Sequence, residues 1–304
     1  MDNIRIYITE SCNAKCPNCF NRTNRTSNYM DKEHFESICQ YFSANGIKNI
    51  KIMGGEPTIH PDFKMITEIA QKYFGSVSVF TNAINDAICE FAPRESDSIV
   101  YNFRFSKLLN KNKLLLDQPG RRSLEVQITT KTDGQLLIDQ LAKFKEYSGS
   151  LNPCLTLDCT ENIFEHRDAL VELYEVVWEY CQTNGFIMGQ DHLIPFCFVN
   201  GSNIPVPRGG SVCQINCAGL IDASYNIKFC NQFIDESIPL IQNGDFIPFE
   251  KYEAFLKAYY EKKNNTVLSK GCSKCAMNGV LCNGGCFVAK GNVTEDNIRH
   301  YRLL

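Results

Sequence analysis

Two short apolar runs, "IRIYIT" at 4–9 and "NIKIM" at 49–53, have the length of buried strands. Between them Phe35, Ile38, Cys39 and Phe42 recur at the spacing of one helix face. A strand, a helix and a second strand in that order return to one sheet in parallel through a right-handed crossover. The pattern continues along the chain. A second helix is expected from "HPDF" onward, with Pro61 suited to a first turn and Phe63, Ile66, Ile69, Ala70 and Tyr73 facing inward. The strand "VSVFTN" follows at 77–82, and further strands are expected at 98–105, 124–130, 154–159 and 193–199. Helices are expected near 134–146 and 165–182, the latter burying Leu170, Leu173, Tyr174, Val177 and Cys181. The stretch 106–122 fits no simple unit. Alternation of this kind predicts an α/β fold whose parallel strands curl into a full or partial barrel, with chemistry at the strands' C-terminal ends.

Near residue 200 the texture changes, with "NGSNIPVPRGG" rich in Gly and Pro. A domain boundary is placed there, giving a barrel domain over 1–200 and a cysteine-rich domain over 201–304. Within the latter a helix at 249–262 carries Tyr252, Phe255, Leu256 and Tyr259 on one face, the mark of a helix that packs. The 304 residues carry a formal charge of −3, which argues against wholesale phosphate binding and hence against nucleic acid as a partner. No apolar run reaches membrane-spanning length, and "MDNIRIYITE" lacks the sections of a signal peptide, so the chain is expected to be cytoplasmic. In a reducing compartment its sixteen cysteines are not a disulfide framework, and their clustering points to metal ligation. Isolated cases such as Cys39 and Cys181 read as buried thiols.

The first cluster is "TESCNAKCPNCFNR", with Cys12, Cys16 and Cys19 in the pattern CxxxCxxC directly after the first strand. A closed metal site takes four protein ligands, and an iron–sulfur cube has four irons to satisfy. Three thiolates on a [4Fe–4S] cluster would leave one iron open, and an open coordination position is a place for a ligand to bind. A zinc knuckle is the competing reading of the triad alone.

The triad resembles the CxxxCxxC pattern of the radical S-adenosylmethionine enzymes. In that family the open iron chelates S-adenosylmethionine, and an electron from the reduced cluster splits the sulfonium to give methionine and a hydrogen-abstracting 5′-deoxyadenosyl radical. The resemblance extends to "MGGEPTIHPDF", where Gly54, Gly55, Glu56 and Pro57 match a GGEP motif whose backbone receives the cofactor's ammonium. Glycines suit such a place, because a polar ligand approaches the main chain only where no side chain blocks it. "FTN" at 80–82, with Thr81 and Asn82, is similar to the family's TNG segment, Ala83 standing in place of the glycine. Asn18 stands where the family usually has an aromatic, and Phe20 follows the third cysteine. His60 reads as a packing or hydrogen-bonding residue, and Arg22 and Arg25 as solvated loop residues.

Seven further cysteines form a second field: Cys213, Cys217 and Cys230, then Cys272, Cys275, Cys282 and Cys286. Paired cysteines also suit zinc. The field resembles the SPASM extension of radical S-adenosylmethionine enzymes, with a six-residue spacer between Cys275 and Cys282 and with Tyr225 at a usual glycine. By that resemblance Cys213, Cys217, Cys230 and Cys286 would close an auxiliary [4Fe–4S] cluster, and Cys272, Cys275 and Cys282 would hold a second. The second set lacks a fourth thiol. A ligand from the tail such as Asp296 or His300, an open iron for substrate, and a single auxiliary cluster of the twitch type all remain open.

The resemblance implies a cytoplasmic oxidoreductase served by an external electron donor such as flavodoxin or ferredoxin. Its leading implication is modification of a ribosomally made peptide or protein side chain by crosslinking, epimerisation or oxidation. The first strand begins at residue 4, so a leader-binding domain is not expected before it, and a separate leader-binding protein or a leaderless substrate would be needed. The alternatives are a dehydrogenase or epimerase of a small molecule such as a sugar or cyclitol, and a non-catalytic electron-transfer module. Epimerisation needs a hydrogen donor, and Cys159 and Cys197, near expected strand ends, are the candidates, with Cys154 earlier in its strand.

Overall fold

The structure is a computed structural model, and it describes residues 2–16, 19, 21, 26–102, 114–157, 162–190, 196–199, 202, 219–230, 233–266 and 270–275. The chain divides into two compact units, Met1–Leu124 with Ile215–Tyr260, and Glu125–Gln214 with Glu261–Leu304.

In the first unit β1 (Asn3–Thr9) is buried on both faces over its second half. Helix α1 (Lys32–Ala44) starts at Asp31, whose carboxylate accepts from the backbone N–H groups of Glu33 and His34, and it buries Phe35, Ile38, Cys39 and Phe42. Gly46, at φ +84°, turns the chain into β2 (Asn49–Gly54). Helix α2 (Phe63–Tyr73) leads to β3 (Ser76–Thr81), and β4 (Ser98–Asn102) follows. The strands are parallel and in register, with Ile4 opposite Ile50, Ile6 opposite Ile52, Ile52 opposite Val79 and Val79 opposite Ile99. Parallel strands covered by helices read as near-continuous apolar runs for this reason. Strand β5 (Arg121–Ile128) crosses the division between the units and begins three residues before its expected start.

The second unit contains α3 (Gly134–Ala142), β6 (Leu151–Leu157), α4 (Arg167–Thr183) and the short β7 (Gly189–Gln190), which pairs in parallel with β6. Helix α4 buries Leu170, Val171, Tyr174, Val177 and Cys181, while Leu173 sits partly exposed against Gly134, where a Cβ would meet its Cδ1 at 2.8 Å. One expected strand is not there: within 193–199 the described residues Phe196–Val199 form a helical turn. A short apolar run does not distinguish strand from buried helical turn by periodicity, and Pro195 just before it is a helix-start signal.

Back in the first unit, β8 (Leu220–Ile221) adds in parallel to the free side of β1, and β9 (Asn226–Cys230) and β10 (Phe233–Pro239) continue antiparallel. The order there is β10-β9-β8-β1-β2-β3-β4. Helix α5 (Phe249–Thr266), which belongs to this unit as far as Tyr260, buries Tyr252, Leu256 and Tyr259, and Phe249 and Tyr252 meet Phe42 of α1 edge-on. Helix α2 starts at Phe63, two residues after Pro61, and buries Thr67 where Ile69 and Tyr73 were expected. Among the described residues no helix is long and apolar enough to cross a membrane, and no disulfide joins any described cysteine. Cys39 and Cys181 are fully buried, and burial pushes the Cys181 thiol up to about 12.

The entry to β4 is held by a buried carboxylate. Asp97 accepts from Val77 N (2.8 Å), Arg94 N (2.8 Å), Arg94 Nε (3.0 Å), Arg94 Nη2 (2.9 Å) and Gln71 Nε2 (2.8 Å). Burial alone would raise its carboxyl, but these donors outweigh burial and hold it below the ordinary aspartate range. A depressed carboxylate stabilises the fold above its unfolded value, about 3.9, and that stabilisation is lost as pH falls through the folded value. Asp97→Asn is therefore expected to cost about 3 kcal/mol at neutral pH in denaturant unfolding, and the variant's stability is expected to fall less than the parent's on acidification below about pH 4.

Candidate functional site

Three segments that are far apart in sequence end side by side at the C-terminal ends of β1, β2 and β3. The loop after β1 carries Cys12, Cys16 and Cys19, all half-buried. The Ala14 amide donates to Cys12 Sγ at 3.4 Å, and the Cys19 amide donates to the Cys16 carbonyl at 3.4 Å. The base of this loop is tied down by hydroxyls. Thr9 Oγ1 donates to the Asn28 carbonyl (2.9 Å) and accepts from Ser11 N (3.0 Å), Ser11 Oγ donates to the Thr26 carbonyl (3.0 Å), and Thr26 Oγ1 donates to Glu10 Oε2 (2.7 Å). The three thiols come from one short irregular segment anchored at both ends.

The end of β2 lies directly against that loop. The Gly55 and Glu56 amides donate to the carbonyls of Thr9 and Ser11 at 2.9 and 2.8 Å. A Cβ on Gly54 would stand 2.3 Å from the Thr9 oxygen, and one on Gly55 would stand 2.0 Å from the Ser11 oxygen. The space these glycines leave is thus filled by the main chain of the cysteine loop, a structural cause for them beside the ligand approach expected from sequence.

Glu56 joins the second segment to the third. It is 1% exposed and caps the 3₁₀ turn Pro57–Ile59. Its Oε1 accepts from Thr58 N (3.2 Å), Thr58 Oγ1 (2.7 Å) and Thr81 Oγ1 (2.7 Å), and its Oε2 accepts from Asn82 N (2.7 Å). Thr81 Oγ1 in turn accepts from Ala83 N at 2.9 Å. Burial raises the Glu56 carboxyl above the ordinary glutamate range, and the four donors only partly offset it. Asn82 then closes the ring. Its Oδ1 accepts from Ile84 N (2.9 Å) while its Nδ2 donates to Asn13 Oδ1 (2.8 Å), with Cys12 Sγ at 4.0 Å.

Thr58, Asn13 and Thr9 were not singled out by sequence reasoning. Thr58 stands two residues after Glu56, the spacing of a side chain bonding its own turn, and this was the available signal. Asn13 carried none. His60 bridges rather than ligates: Nδ1 accepts from Asp62 N (3.0 Å), which leaves Nε2–H to donate to the Met30 carbonyl (2.8 Å), and burial lowers its pKa.

Both places where this chain departs from a family glycine have left-handed backbone. Ala83 has φ +54° and Tyr225 φ +64°. The Tyr225 ring packs on His34 at 5.1 Å and its amide donates to the Asp222 carbonyl at 3.0 Å.

The structure places the second cysteine field less completely. Cys230 ends β9, half-buried. Cys272 is buried and Cys275 half-buried at the turn Lys270–Ser273, while Cys154 is half-buried in β6. Cys159, Cys213, Cys217, Cys282, Cys286, Asp296 and His300 lie outside the described residues, as do Asn18, Phe20, Arg22 and Arg25. Cys197 is described, on the helical turn Phe196–Val199 rather than a strand end. Among the described residues no three His, Cys, Asp or Glu side chains close on a single ion.

A parallel α/β sheet with a three-thiol loop after its first strand has the architecture of the radical SAM fold. Residues 6–153 match the family profile described as the Radical SAM superfamily, so the chain carries a Radical SAM domain over those residues. A curated relative, the probable GTP 3′,8-cyclase of Thermococcus kodakarensis, is 33% identical over 82 residues, 26% of this chain and 27% of that protein. The chain thus matches about a quarter of that relative's length. Among solved structures, SuiB of Streptococcus suis bound to S-adenosylmethionine superposes with a TM-score of 0.67 at 16% identity, over 98% of this chain and 77% of that one. SuiB is also known bound to its precursor peptide SuiA. Native anSMEcpe with bound AdoMet and Cp18Cys peptide superposes with a TM-score of 0.63 at 18% identity, over 93% of this chain and 88% of that one. At these identities the likeness speaks for the fold.

Two substitutions test the ring. Glu56→Gln turns an amide N–H₂ toward either the Asn82 N–H or the two threonine hydroxyls, and is expected to cost about 1–3 kcal/mol in urea unfolding. Ala83→Gly relieves a left-handed Cβ and is expected to stabilise by about 1 kcal/mol in the same assay, the sign that a strained site requires.

Proposed function

We propose that this chain is a radical SAM enzyme whose Cys12, Cys16 and Cys19 hold a [4Fe–4S] cluster with one iron left to S-adenosylmethionine. The observation that carries this reading is the Glu56–Thr81–Asn82–Asn13 chain of hydrogen bonds, which locks the GGEP and TN segments to the cysteine loop. The donor set fits the group: three thiols on one loop, half-buried, soft donors of the kind an iron–sulfur cluster takes. An ammonium only donates hydrogen bonds, so it would be received by carbonyl oxygens of the Gly54–Pro57 segment, while the Gly55 and Glu56 amides of that segment hold it to Thr9 and Ser11. When bound, the cluster and S-adenosylmethionine supply a 5′-deoxyadenosyl radical. Glu56, consumed by four donors, serves to position the two loops rather than to touch the ligand. Thr81 passes the Ala83 amide through its hydroxyl to Glu56, and Asn82 orients the backbone beside Cys12.

For the substrate we infer a ribosomally made peptide or protein side chain, modified with help from auxiliary clusters held by the C-terminal cysteines. The support is the likeness to SuiB and anSMEcpe over nearly the whole chain, since both are known with peptides bound. A small-molecule substrate is the second reading, favoured by the relative named for GTP cyclisation, although that match spans about a quarter of each chain.

Anaerobically reconstituted protein with reductant is expected to convert S-adenosylmethionine to 5′-deoxyadenosine, and Cys12→Ala, Cys16→Ala or Cys19→Ala to lower the rate at least about 100-fold, as loss of a ligand to a reacting metal centre does. Full activity in Cys12→Ala would retire the assignment. Mass change in a candidate peptide, against none in nucleotide or sugar candidates, separates the two substrate readings.

A further inference from the structure

Cys197, Cys272 and Cys275 belong to the same compact unit and meet in one cluster, although 75 residues of sequence separate the first from the second. Cys272 is 6% exposed, and packed against it are Cys197, Cys275 and Phe164. Each thiol is delivered by a short structured turn. Cys197 stands on Phe196–Val199, which follows β7, and its neighbour Phe198 is fully buried with its ring edge-on to Phe164 at 5.7 Å. Cys272 stands on Lys270–Ser273, and the Cys275 amide donates to the Cys272 carbonyl at 3.3 Å, the tight turn that a CxxC pair uses to present two thiols to one centre. Phe164 is fixed beside them by Asn162, whose Oδ1 accepts the Phe164 amide at 3.3 Å and whose Nδ2 donates to Glu165 at 2.8 Å.

We propose that Cys197 is a thiolate ligand of the same metal centre as Cys272 and Cys275. The proposal rests on the reading above that the C-terminal cysteines hold an auxiliary iron–sulfur cluster, and it names a ligand from outside the C-terminal cysteine field. Three soft donors gathered beside the Phe164 ring suit an iron–sulfur group. A cluster also suits their arrangement, because its thiolates attach to different irons and are neighbours without converging on one point. The sequence-level shortage of a fourth thiol in the second auxiliary set is met from upstream, from a residue that sequence alone had cast as a hydrogen donor.

The test separates the proposal from the reading on which it rests. In full-length protein carrying Cys12→Ala, Cys16→Ala and Cys19→Ala, reconstituted anaerobically, the iron and acid-labile sulfide that remain belong to auxiliary centres. Adding Cys272→Ala is expected to remove the part held by this centre, and adding Cys197→Ala to remove the same part. Loss with Cys272→Ala but full retention with Cys197→Ala overturns the proposal and leaves the auxiliary cluster standing. No iron in the triad variant, or none lost with Cys272→Ala, overturns both. Zinc without sulfide that is lost equally with either substitution supports Cys197 as a ligand and sinks the iron–sulfur reading. Because a variant can lose metal by misfolding, the parent protein gives a second measurement: alkylation followed by mass spectrometry. Cys197 is expected to react at least tenfold more slowly in the metal-loaded protein than after chelation, in step with Cys275. Equal reactivity in the two states would overturn the assignment.

Discussion

A buried carboxylate that no cation pairs with among the described residues organises the first unit's working end. Glu56 is out of water, and its two oxygens are bonded to two hydroxyls and two amides drawn from the turn after β2 and from the end of β3 and the residue that follows it. Burying a charge without partners would be prohibitive, and burial does raise its carboxyl, so the site tolerates Glu56 only while all four donors are aimed at it. That condition fixes the backbone of Thr81, Asn82 and Ala83. Asn82 then reaches Asn13, and the cysteine loop inherits its position from a residue seventy positions away. Gly54 and Gly55 supply the other half of the constraint, since any side chain there would strike the Thr9 or Ser11 carbonyl and push the loop outward.

The parts of this arrangement legible in the sequence are those with a period or a fixed spacing. The four apolar positions of α1 were readable because 3.6-residue periodicity survives without knowledge of neighbours, and β1, β2 and β3 were readable as apolar runs because parallel strands bury both faces. CxxxCxxC was readable from the close spacing of its cysteines, and GGEP from its resemblance to the family motif. The hydrogen-bond ring was not, since Asn13 is an ordinary polar residue and the bonds that close the ring, Thr81 to Glu56 and Asn82 to Asn13, join segments distant in sequence. The segment 193–199 failed for a different reason: four apolar residues after a proline satisfy strand and helical turn alike, and packing against Phe164 and Cys272 decides between them.

Departures from the family pattern turned out to report backbone conformation. Ala83 and Tyr225 replace expected glycines, and both keep the positive φ that glycine would have adopted. Each is held there by compensating contacts. The Ala83 amide is captured by Thr81, and the Tyr225 ring lies on His34 while its carbonyl accepts from Leu240. Left-handed geometry costs an L-residue on the order of 1–2 kcal/mol, so its presence at an alanine and a tyrosine marks each turn as required by what surrounds it.

The position of Cys197 bears on the kind of chemistry that the proposed enzyme performs. A substrate radical left by hydrogen abstraction is quenched either by a hydrogen atom from a thiol, which yields epimerisation, or by loss of an electron to an acceptor, which yields oxidation or bond formation. A thiolate bound to a metal has no S–H hydrogen to give, so ligation by Cys197 removes it from the first route. On the proposed assignment the same ligation would complete a redox centre of the sort the second route needs, built from soft donors. One assignment therefore tips two questions together: a metal-bound Cys197 favours an oxidative outcome such as a crosslink or dehydrogenation, and leaves inversion of a stereocentre to depend on a different thiol.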